Sequence, residues 1–157
     1  SENLTIDPIK EDYDIILHYT ARLLIPATQL FALYVVAHGH HSPGGGFQGG
    51  VVLGASFIIL ALSRELSHAL KRIPPHRMVI LAATGVLIYA GVGLVCLLLG
   101  GNFLDYSMMA KILPLDAIVA RSFSMLLVEI GVAFTVSSIM FAIFAHLSTR
   151  GELKEGL

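Results

Sequence analysis

The segment His38–Gly50 reads HGHHSPGGGFQGG, rich in glycine, with three histidines and no Lys, Arg, Asp or Glu. An apolar run, Leu23 to Ala37, leads into it and another, Val51 to Leu62, leads out. A polar, glycine-rich turn between two such runs is the tip of a helical hairpin. Pro43 stops the incoming helix or starts the next, because its ring removes a donor and fixes φ. Gly44, Gly45 and Gly46 permit backbone angles that a side chain forbids, or let another backbone come close. From Gly46 onward the glycines recur every fourth residue, at Gly46, Gly50 and Gly54. On a helix this makes a flat strip that lets two membrane helices touch backbone to backbone. Gly44, Gly45, Gly46, Gly49, Gly50 and Gly54 are therefore the candidate helix-packing residues.

Other chemistries fit the segment poorly. Gly44 to Gly49 matches G-x-G-x-x-G, but a dinucleotide site needs a preceding strand and an acidic residue about 20 positions on. Here the lead-in is a long apolar run, and no acid follows before Glu65. No Gly-Lys-Ser/Thr follows either, so there is no P-loop. His38, His40 and His41 lack the cysteine or nearby carboxylate that would complete a closed metal site, and a solvated interfacial cluster is the simpler reading. They stay candidates for an ion or proton path.

Working outward, the 157 residues are 55% hydrophobic and 13% charged, with mean hydropathy +0.79. A soluble domain carries about 25% charged residues. The charges here fall in short islands between long apolar runs, the pattern of a multi-span membrane protein. A net charge of −1 gives no electrostatic case for nucleic acid. The single cysteine, Cys96, lies in an apolar run and reads as a small packing residue, so no redox centre and no cofactor are expected. The first apolar run does not look like a cleaved signal peptide, since a glycine-rich turn follows it in place of a cleavage site.

The expected fold is an all-α membrane protein with four transmembrane helices. The first 14 residues form a polar tail. Spans follow at about 20–37, 49–62, 78–99 and 122–147, within a four-helix unit over 15–147 that ends in a second tail, 148–157. Pro26 predicts a mild kink in the first span. Span two reaches full length only if part of Pro43 to Gln48 is helical. Pro74-Pro75 breaks any helix in the charged loop Ser63 to Arg77, and Leu104 to Leu113 is apolar enough for an interfacial helix. In span four, Gly131, Thr135 and Ser138 share one face.

With four spans, eight of the ten Lys and Arg fall on the side holding both termini and the Ser63 to Arg77 loop. Lys111 and Arg121 stand opposite. The positive-inside rule then places both termini in the cytoplasm and the glycine-rich turn outward.

Glu129 is the only carboxylate within a span. At mid-bilayer such a group costs about 2.5–3.5 kcal/mol on insertion scales, so it must be neutralised, paired or solvated. One reading is a proton- or sodium-handling site. The other is a buried hydrogen bond that locks span four to a neighbour. Arg121 is about 12 Å away along the axis, too far for a ready pair.

Together these residues resemble a known family. LYVVAHGHHSPGGGFQGGVVLGASFIILAL, Leu33 to Leu62, is similar to the signature of the MnhB/MrpB family, the B subunits of multisubunit Na+/H+ antiporters. The core SPGGGFQGG, Ser42 to Gly50, carries most of the likeness, and the four-span layout fits from about residue 15 to 147. The resemblance implies a small, mainly structural subunit of a complex in the bacterial or archaeal cytoplasmic membrane that exchanges sodium for protons. Its partners would be the A-, C- and D-type subunits, with the proton channels in A and D. The same module recurs in membrane-bound hydrogenase-type and sulfur-reducing complexes, so a membrane-arm subunit of an ion-translocating oxidoreductase is the alternative. A stand-alone small channel fits four short spans with one carboxylate poorly.

Overall fold

The computed structural model of the chain describes residues 8–39, 44–63, 74–112 and 116–149. His40, His41, Ser42 and Pro43 lie outside the described residues, as does most of the charged loop. Four α-helices carry the fold: α1 Pro8–Ala37, α2 Gly46–Ser63, α3 Pro75–Leu98 and α4 Ala117–Ser148. A short 3-10 helix, Tyr106–Lys111, lies between α3 and α4. Each α-helix contains a stretch long and apolar enough to cross a membrane, and the described residues contain no strand. The chain is an all-helical, multi-pass membrane protein.

Several boundaries differ from the sequence reading. The first helix begins at Pro8, inside the expected tail, and runs through Pro26 without interruption. A proline in the first turn needs no N–H partner and is already set at a helical φ. The same reasoning applies at Pro74-Pro75: Pro74 is extended, at φ −67° and ψ 140°, and Pro75 opens α3, so the pair also starts a helix. Helix α2 begins at Gly46, which brings the end of the glycine segment into the span. Helix α4 begins five residues early, at Ala117, and so includes Arg121.

The expected interfacial helix over Leu104 to Leu113 is shorter and tighter. Leu104 has φ +61°, which no α-helical residue adopts. Asp105 then caps the 3-10 turn by accepting from the Ser107 backbone N–H at 3.2 Å and from its hydroxyl. Lys111 Nζ donates to the Leu99 carbonyl at 3.3 Å, tying this connection to the end of α3.

The helices form a row, α1–α2–α4–α3, with little contact between α1 and α4. Helices α2 and α4 run parallel: Gly46 meets Glu129, Gly50 meets Ala133, and Gly54 meets Ser137 and Met140. Helix α3 runs antiparallel to α4, with Gly85 on Gly131 and Thr135, and with Met78 near Phe141 and Ala145. The interior is built from small groups. Apart from Phe141 and Cys96, the largest fully buried side chains are Ser56, Ser124, Ser137 and Ser138. Three of these serines return their hydroxyls to their own helix, at Leu53, Ala120 and Phe134. Small side chains let helices approach closely where no water exists to drive leucines inward.

Candidate functional site

The glycine-rich turn and Glu129 occupy one place. A Cβ built on Gly39 would lie 2.5 Å from both carboxylate oxygens of Glu129 and 2.6 Å from the Gly45 Cα. A Cβ on Gly45 would lie 3.4 Å from Oε1, and Gly45 also has φ +153°. A Cβ on Gly46 would run into the Glu129 backbone carbonyl. The carboxylate is therefore tucked between the end of α1 and the start of α2, in space that exists only because Gly39 and Gly45 lack side chains.

The electrostatic setting follows from this position. The unpaired N–H groups at the start of α2 give that end a partial positive charge, which favours a nearby carboxylate. Oε2 is sealed from solvent and has no hydrogen-bond partner among the described residues. Arg121 lies two turns away on α4 and forms no ion pair with Glu129 among the described residues, as the separation of about 12 Å requires.

Glu129 is not at the middle of the hairpin. It faces the first residue of α2, and α2 rises about 26 Å from Gly46 to Ser63, close to the roughly 30 Å of a hydrocarbon core. Measured on α2, the carboxylate sits near one boundary of the apolar layer, level with the turn.

His38 is exposed. Its ring stacks on Tyr34 with centroids 4.2 Å apart, and Nδ1 lies 3.1 Å from the Tyr34 carbonyl. His40 and His41 fall outside the described residues. Among the described residues no three His, Cys, Asp or Glu side chains gather closely enough to hold a metal ion.

The candidate packing glycines divide between two neighbours. Gly46, Gly50 and Gly54 face α4, where Cβ atoms on the last two would lie 3.0 Å from the Ala133 backbone and 3.2 Å from the Met140 side chain. Gly49 faces α1, against Val36 and the Ala32 carbonyl, and Gly44 faces Val35. On α4, Gly131 and Thr135 turn to α3. The Thr135 hydroxyl donates to the Ala82 carbonyl across the interface at 3.0 Å, and Ser138 is buried beside Met78 and Ala82. Gly39 is the site residue that sequence reasoning missed. Its signal was only its place in HGHH, and nothing local tied it to a residue ninety positions away.

A family described as a domain related to the MnhB subunit of Na+/H+ antiporters matches residues 16–142. The chain belongs to the MnhB family. A relative in Staphylococcus aureus strain Newman, described as antiporter subunit mnhB2, is 28% identical over 138 residues, covering 88% of this chain and 96% of its own length. Relatives in strains JH1 and USA300 match to the same extent. The MnhB match includes all four spans for most of their length, and both halves of the carboxylate site.

Proposed function

We propose that this chain is a membrane subunit of a multisubunit Na+/H+ antiporter, and that Glu129 under the glycine turn belongs to the ion or proton path of the complex. Its main work is assembly: glycines at 44, 45, 46, 49, 50 and 54 set the close approach of three helices. It sits in the cytoplasmic membrane with both termini inside, following the Lys and Arg asymmetry. Its partners are A-, C- and D-type antiporter subunits. No catalytic centre or cofactor is assigned to it.

The observation that carries the path reading is the placement of Glu129. A carboxylate used only for packing would spend its oxygens on donors of a neighbouring helix. Here Oε2 has no such partner among the described residues, and the carboxylate lies against the backbone of a turn at the edge of the apolar layer. Intramembrane ionisable groups that are not locked into pairs mark ion and proton pathways. The three histidines of the same turn, at 38, 40 and 41, flank Gly39, which meets the carboxylate.

The test is Glu129→Gln, which keeps size and hydrogen bonding but cannot titrate. The intact complex is expressed in cells lacking their own Na+/H+ antiporters, and sodium-driven pH change is followed in everted vesicles. We expect the variant to assemble at normal yield and to lose most sodium-dependent proton movement. Normal transport by an assembled variant removes Glu129 from the path.

A further inference from the structure

We propose that the flank of α1 carrying Gln29 is the docking surface for a transmembrane helix of another antiporter subunit, which hydrogen-bonds the Gln29 amide. This inference rests on the subunit reading above. Helix α1 stands at one end of the row and packs mainly on α2. It is the least enclosed of the four spans: 17% of its most apolar stretch is buried, against 33% for α2 and α4. That alone would fit lipid as well as protein. Gln29 separates the two.

Gln29 lies about 16 Å from His18 and about 12 Å from Ala37 along the span. Neither interface is within reach of a glutamine side chain. The residue is half-buried, and its side-chain amide has no hydrogen bond to any described residue. An amide facing hydrocarbon without a partner is costly, because lipid tails offer neither donors nor acceptors.

Thr84, Thr135 and Tyr89 inside the row are handled differently. Thr84 returns its hydroxyl to Ile80 on α3, and Thr135 bonds across to Ala82. Tyr89 lies edge-on to Phe103, near the outer connection. Ser138 also lacks a partner, but at 1% exposure no second protein can reach it. Gln29 is both unpartnered and reachable. Leu33, one turn further on the same strip, is 59% exposed and offers the apolar contact beside it. An amide and an apolar neighbour on one strip suit a helix that brings a polar side chain at mid-membrane.

The test uses the intact complex, purified in gentle detergent through a tag on this chain. A photo-crosslinking amino acid replaces Leu33, and the adduct is identified by mass spectrometry. In parallel, Gln29→Leu is compared with Gln29→Asn. We expect an adduct between Leu33 and a different antiporter subunit, several-fold less of that subunit with Gln29→Leu, and partial recovery with Gln29→Asn. If the other subunits co-purify but Leu33 captures only lipid, or a second copy of this chain, the docking surface is wrong and the subunit reading stands. If this chain purifies alone, both fall.

Discussion

Gly46 and Glu129 define what a single atom can do here. A methyl group at Gly46 would enter the Glu129 carbonyl, which is backbone and cannot rotate away. At Gly91 the same methyl would meet nothing within 4 Å. We therefore expect Gly46→Ala to separate α2 from α4 at a cost of about 1–3 kcal/mol, typical of overpacking. Gly91→Ala should be neutral or stabilising by about 1 kcal/mol, the difference in helix propensity. Thermal unfolding of the purified complex in detergent reads both, and equal midpoints would mean that the glycine strip does not set the α2–α4 distance. At this scale the sequence was half legible. The spacing of Gly46, Gly50 and Gly54 announced a flat strip, and Glu129 stood out as the only carboxylate in a span. That the two features face each other was not legible, because helix periodicity describes each face but not which helix it meets.

The interfaces between elements use two different devices. Between α2 and α4 contact is by glycine against backbone. Between α3 and α4, Gly85 and Gly131 again meet closely, but Thr135 adds a hydrogen bond from its hydroxyl to the Ala82 carbonyl. Thr135→Val keeps the branched shape and removes the donor. Membrane hydrogen bonds of this kind average about 0.6 kcal/mol, so the variant should lower stability by about that amount and leave transport unchanged. A loss of activity at full complex yield would instead place Thr135 in the working site. The small-residue face of α4, Gly131, Thr135 and Ser138, was readable from helical spacing, whereas its neighbour α3 was not. Helix ends were the least legible. Proline punctuates a chain in two ways, and at Pro8 and Pro75 it opens a helix. Only the backbone ahead of it, extended at Pro74, distinguishes a start from a break.

Across the whole molecule, two helices run each way, so the start of α1 and the end of α4 fall on one side and the 3-10 connection on the other. Four long apolar runs made this layout readable, because each run must bury its backbone polar groups internally and only helices do so within one segment. Which side is the cytoplasm depends on charge. Eight of ten Lys and Arg fall in the sequence segments on the side of the termini, and the positive-inside rule predicts that side to be inside. The native thiol offers a clean test, since Cys96 is fully buried and can be replaced by alanine. In that background, Asn102→Cys lies in the exposed connection between α3 and α4 and His76→Cys at the exposed start of α3. A membrane-impermeant maleimide added to intact cells should label the first and not the second, and in everted vesicles the preference should reverse. The opposite pattern would turn the protein over, putting the glycine turn and Glu129 on the cytoplasmic face. Sodium would then reach that carboxylate from inside the cell, so this labelling decides from which compartment the site is loaded.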